Sequence, residues 1–215
     1  MAFAASNSAD HTNNQNGEIR FPSNVNIAGV LTVGASERDD FQANYSPTSN
    51  AASPNNQIID IVAPSHRAYP DQIAGETLEV WTMDIPGNVG YNPWPASIGN
   101  CQFINPPFVG EQVPNAGVSF NAYTGRFGGT SAACPQVAAV ATLVLSVNPN
   151  LTQQQVFNIL TNAANDVGGY NYTNGISNEL GNGRLNACGA VRQAFETIYE
   201  YLRPFFILQL TSLLR

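Results

Sequence analysis

The stretch that most limits what this chain can fold into is Gly128-Gly129-Thr130-Ser131-Ala132-Ala133-Cys134-Pro135, which runs straight into the apolar segment Gln136 to Leu145. The two glycines carry no Cβ, so another backbone can approach the turn closely. Thr130 reads as an N-cap, leaving Ser131 in the first turn of a helix that is hydrophobic almost all round. First-turn N–H groups have no helical acceptors, and the positive end of the helix dipole lies there. A serine hydroxyl beside such donors suits attack on a carbonyl, because the donors can hold the oxyanion that forms. Pro135 falls early enough to be tolerated, although it removes one helical hydrogen bond.

Other segments supply a framework for that helix. Met1 to Ala5 reads as a short buried strand, after which the chain turns polar at Asn7. Ile27 to Ala35 is a continuous apolar run, as expected of a strand buried on both faces of a parallel sheet. Ile58 to Ser65 reads as the next core strand. Further on, Pro149 stops one helix and Thr152 caps another. Val156, Ile159, Leu160 and Ala163 then recur at helical spacing, so residues 153–164 should pack one face on the core. A last helix carries Ala190, Val191, Ala194, Phe195 and Ile198. No internal repeat and no linker interrupts the chain, which reads as one domain.

With these residues in view, Gly129-Thr130-Ser131-Ala132-Ala133-Cys134-Pro135 resembles the serine-nucleophile motif of the subtilases, with Cys134 where that family most often has Ala. Four more segments agree in the family's order. Ala4-Ala5-Ser6-Asn7 is similar to the Ala-Ala-Gly-Asn strand end that contributes a side-chain amide to the oxyanion hole, with Ser6 in place of Gly. Val33-Gly34-Ala35 resembles a core strand of the family. Ala63-Pro64-Ser65 resembles the next one, which ends in Ala-Pro-Gly; here Ser65 replaces the glycine. Leu180-Gly181-Asn182-Gly183-Arg184-Leu185-Asn186-Ala187 is similar to the glycine turn before the family's last helix.

The resemblance covers roughly Met1 to Ala194 and is to the carboxy-terminal portion of a subtilase catalytic domain. It implies an α/β fold of three layers, a mostly parallel sheet with flanking helices. Residues 1–200 would form that portion, with an insertion at about 66–124, and 201–215 an apolar tail. It also implies a serine endopeptidase working through an acyl-enzyme. Ser131 would be the nucleophile, Asn7 and the Ser131 N–H the oxyanion hole, and Gly128 and Gly129 would give the peptide room.

A triad also needs a His to take the serine proton and an Asp to orient it. In subtilases these come earlier in the chain, in Asp-Thr-Gly or Asp-Ser-Gly and in His-Gly-Thr, and neither signature occurs here. His11, in Ala9-Asp10-His11-Thr12, and His66, after Pro64-Ser65, read as solvated loop residues. The expectation is therefore a protease fragment, inactive alone, whose partner is the N-terminal half of the catalytic domain. The alternative is a non-catalytic binding or structural domain that keeps the subtilase core. A nucleotide-binding domain is disfavoured, because no Gly-x-Gly-x-x-Gly or P-loop lies between a strand and a helix.

Charge narrows the partners. The net charge is −7, and all eight basic residues are Arg, which speaks against nucleic acid or an anionic membrane. The charge says nothing about the substrate; a peptide or protein substrate is what the resemblance implies. Phe205 to Leu214 is apolar but about half the length a membrane span needs. Cys101, Cys134 and Cys188 have no metal-ligand spacing, and Cys134 reads as a buried small hydrophobe. No cofactor is expected; the resemblance admits structural calcium but names no ligands. It also implies export, although Met1 to Ala5 is no signal peptide.

Overall fold

The computed structural model describes residues 1–25, 27–52, 57–66, 80–86 and 122–198. Strands β1 (Ala2–Ala4), β2 (Leu31–Ser36) and β3 (Ile61–Pro64) form a parallel sheet in that order, with Ala2 opposite Leu31 and Val33 opposite Ile61. β2 is buried at every position because it lies between two neighbours with both faces covered. It starts at Leu31, four residues later than the apolar run begins: Ile27 is 63% exposed in the preceding loop. β1 is half-buried and not the buried strand its composition suggests, because it lies at the edge of the three-stranded sheet.

Side-chain alternation assigns the two faces. Leu31, Val33 and Ala35 of β2 and Ile61 and Ala63 of β3 share one core. Into that core pack Val137, Val140 and Val144 of helix α1 (Thr130–Val147) and Val156, Ile159 and Leu160 of α2 (Gln153–Asn162). Residues 187–198 are helical and add Ala190 and Ala194, while Phe195 of the same helix is 63% exposed. Each fully buried aliphatic side chain contributes about 1.5–3 kcal/mol. Val62 points the other way and meets Ala5, Ile19, Ile59 and Leu180, so irregular segments close the opposite face. The start of α2 is sharp: Thr152 Oγ1 accepts from the Gln155 N–H, and the Gln155 side chain returns a bond to the Thr152 N–H.

α1 is long and apolar enough to cross a membrane by length and composition alone. Its valine stripe instead packs on all three strands. Its outer side is uncovered among the described residues, with Leu143 50% and Leu145 38% exposed. Beside it an apolar cleft of about 370 Å³ opens at the β1 edge, lined by Met1, Leu31, Ala141, Leu145, Val156 and Phe157.

Most of the expected insertion at 66–124 lies outside the described residues, as do Cys101 and the 201–215 tail. Within the insertion, β4 (Val80–Met83) pairs antiparallel with β5 (Tyr123–Phe127). β5 runs directly into Gly128, so this ribbon delivers the chain to the start of α1.

A half-buried acid adjoins the sheet. Asp60, just before β3, accepts the Thr32 N–H on Oδ2 at 2.7 Å, and its carbonyl accepts from the Asn182 N–H and Nδ2. Burial pushes its carboxyl up from the ordinary 3.8 to about 6, against the opposing pull of the Thr32 bond. A carboxyl with a raised folded pKa is harder to ionise in the fold. Its destabilisation is absent below about 4 and complete above about 6. Asp60→Asn keeps an oxygen for Thr32 and removes the charge. It is expected to stabilise the chain by about 2 kcal/mol at neutral pH and by almost nothing near pH 4. Urea unfolding of both chains at the two pH values checks this; an Asn variant less stable at neutral pH contradicts it.

Candidate active site

α1 begins one residue earlier than expected. Gly129 is its N-cap, at φ 76° and ψ 178°, and Thr130 is already helical. That positive φ suits a residue without a Cβ. Gly129 has no side chain to cap with, so the orphan N–H of Thr130 is satisfied from far along the chain: Asn7 Oδ1 accepts it at 2.9 Å. The buried Thr130 hydroxyl stands 3.0 Å from the same Oδ1 and 3.1 Å from the Ser6 carbonyl, and it accepts from the Ser6 N–H at 3.3 Å. Next in the chain, Ser131 is exposed. Its N–H, in the first turn, has no carbonyl four residues back within the helix. Pro135 leaves the helix unbroken through Val147. Gln136 Nε2 bonds both the Ala132 and Pro64 carbonyls, tying α1 to the end of β3.

Asn7 reaches this position because the chain turns sharply after β1. Ser6 holds φ at 134°, a conformation that favours glycine, and its Oγ–H donates to the Glu18 carbonyl at 2.6 Å. Serine thus occupies a glycine-like geometry at the place where the family motif has Gly. Asn7 itself is exposed. With Oδ1 engaged, its Nδ2 hydrogens meet no acceptor among the described residues. A Cβ built on Gly129 would stand 2.6 Å from Nδ2, so this glycine makes room for the amide.

His66 is the residue the sequence misjudged. It is half-buried, not solvated, and its Nδ1 accepts the Gly129 N–H at 2.9 Å. Its ring stacks on Tyr45 at 4.7 Å and 22°. The Tyr45 hydroxyl donates to the His66 carbonyl at 3.1 Å. A Cβ on Gly128 would overlap the imidazole. Burial lowers the His66 pKa from 6.5 to about 4, so the ring is neutral at physiological pH. With Nδ1 accepting, the proton sits on Nε2. The neighbouring Ser65 Oγ–H donates to the Gly129 carbonyl at 2.8 Å. The only hint in the sequence was the Ser-His that follows Ala63-Pro64 where the family has a glycine.

The other singled-out residues lie elsewhere. His11 sits in a 3-10 turn, His11–Asn13, with Nε2 2.8 Å from the Ser46 carbonyl. Cys134 is half-buried against the helical core and Cys188 is exposed; both are free thiols. Burial raises the Cys134 pKa, which makes it a poor thiolate. Among the described residues, no three His, Cys, Asp or Glu side chains gather as a metal site.

A parallel α/β sheet that delivers Asn7 and a serine-bearing helix start to one place defines a class, and the comparison with known sequences agrees with it. The chain matches the Subtilase family over residues 1–183 and belongs to that family. It is 35% identical over 165 residues to the calcium-dependent protease of Nostoc sp., covering 75% of this chain and 22% of that protein. It is 38% identical over 149 residues to the calcium-dependent protease of Trichormus variabilis, covering 68% and 19%. The chain thus spans about a fifth of the length of these relatives. Among solved structures, the serine protease of Aeromonas sobria superposes with a TM-score of 0.63 at 20% identity, over 90% of this chain and 36% of that one. A protease from Pseudoalteromonas arctica gives 0.55 at 24% identity, over 89% and 41%. These likenesses show the fold.

Proposed function

We propose that this chain carries the nucleophile and oxyanion-hole part of a subtilisin-like serine endopeptidase. In this reading the Ser131 hydroxyl attacks the scissile carbonyl, and the negative charge gathers on that carbonyl's oxygen. The Asn7 Nδ2–H and the Ser131 N–H, at the positive end of α1, stabilise it. Collapse of the tetrahedral intermediate expels the amine and leaves an acyl-enzyme, which water hydrolyses. Gly128 and Gly129 border the place where the peptide lies. The observation that carries the reading is the bond from the Thr130 N–H to Asn7 Oδ1, which joins the two residues flanking the reaction centre across 123 positions of sequence.

The base that takes the serine proton is not His66 in this reading, because its accepting nitrogen is committed to Gly129. The catalytic His and Asp are supplied by chain outside these 215 residues, the part of the catalytic domain that also covers the β1 edge and the outer side of α1. Calcium enters none of these steps; the word in the relatives' names describes those proteins.

A chromogenic peptide tests the proposal. The 215-residue chain alone is expected to give no measurable turnover, since an unassisted serine is a weak nucleophile at neutral pH, whereas the full-length protein turns the peptide over. Turnover by the chain alone that disappears in Ser131→Ala would place a base within it. A full-length protein that never reacts with a fluorophosphonate at Ser131 would favour the non-catalytic domain.

A further inference from the structure

We propose that Ser65 and His66 are positioning residues that clamp Gly129 and thereby aim Ser131. The inference rests on Ser131 being the nucleophile and concerns how its turn is held. Gly129 offers one N–H and one carbonyl, and this dipeptide takes both: His66 Nδ1 accepts the N–H at 2.9 Å and Ser65 Oγ–H donates to the carbonyl at 2.8 Å. The same carbonyl also accepts the Ala132 N–H at 3.0 Å. Asn7 takes the following N–H, that of Thr130. Every backbone polar group from the Gly129 N–H to the Thr130 N–H is therefore assigned a partner, and two of these partners come from the end of β3.

Such a clamp is needed because Gly129 is flexible. Its φ of 76° is one of many values a glycine can adopt, and each alternative swings Thr130 and Ser131 elsewhere. The clamp is itself rigid. The imidazole is stacked on Tyr45, the Tyr45 hydroxyl holds the His66 carbonyl, and Gly128 leaves the space the ring fills. An acceptor at Nδ1 requires the neutral ring, and burial provides it. His66 acts through Gly129 and touches no reacting atom.

The test measures kcat, KM and Tm on the full-length enzyme for wild type, His66→Phe, His66→Asn and Ser131→Ala. Phe keeps an aromatic ring on Tyr45 and removes the acceptor. It is expected to lower kcat about ten- to hundredfold with KM changed less than about threefold, because misplacement of a nucleophile falls on the chemical step. Asn sets Oδ1 where Nδ1 stands and is expected to recover most of that kcat, although it lacks the stack. Wild-type kcat in the Phe variant overturns the clamp. So does an equal loss in both variants that tracks a fall in Tm, which marks a merely structural role. Ser131→Ala that still hydrolyses peptide overturns the nucleophile reading itself, whatever the His66 variants do.

Discussion

On the proposed mechanism, changing Ser131 to Ala is expected to lower kcat of the full-length protein by roughly four orders of magnitude or more. It is also expected to abolish covalent labelling by a fluorophosphonate while leaving the fold intact. The size of the effect follows from the role: without the hydroxyl no acyl-enzyme forms, and only substrate binding and the oxyanion donors remain. The fold should tolerate the change because Ser131 is exposed in the first turn. Alanine is also the better helix former. KM should move little, since the hydroxyl contributes to the transition state and not to ground-state binding. The measurement is steady-state hydrolysis with Tm recorded alongside. Unchanged turnover at unchanged Tm would remove Ser131 from the mechanism.

The second large effect concerns Asn7, whose two ends do different work. Oδ1 accepts from the Thr130 N–H and so caps α1, while in the proposed mechanism Nδ2 supplies a donor for the oxyanion. Asn7→Ala removes both. The expected cost is about 1 kcal/mol of stability from the lost cap and roughly a hundred- to a thousandfold in kcat, the loss measured for such an amide in another member of this family. Asn7→Asp separates the two roles. A carboxylate still accepts from Thr130 and suits the positive end of the helix, so stability should hold or rise. It has no N–H to give and brings negative charge toward the oxyanion, so kcat should fall at least as far as in the Ala variant. Thermal unfolding and kinetics on both variants decide the matter. An Asp variant with wild-type kcat would show that Nδ2 has no part in the chemistry.

Much of this was legible before any coordinates. The apolar run from Ile27 to Ala35 marks a strand covered on both faces, and β2, which begins within it at Leu31, is buried throughout. The Thr152 cap and the spacing of Val156, Ile159 and Leu160 mark α2, and they lie where the helix packs. Such features are local, set by side-chain period and by hydrogen bonds a few residues long. The errors share one cause. Ile27 is apolar enough to be core, yet only the packing of other segments decides whether it is covered, and it is 63% exposed. His66 looked like a loop residue because its partners, Tyr45 and Gly129, lie 21 and 63 positions away.

By its own residues, the sequence determines a glycine turn opening an apolar helix with a serine in the first turn, and a strand followed by an amide. Each is specified by backbone conformation and neighbouring side chains. Only the tertiary structure decides that this amide caps that helix, and that Ser65 and His66 hold the glycine between them. The physical reason is that a helix N-terminus leaves its first N–H groups unpaired, and burial obliges them to find acceptors. Which residues answer that demand depends on how the parallel strands bring β1 and β3 together beneath α1, a relation that no stretch of the chain contains alone.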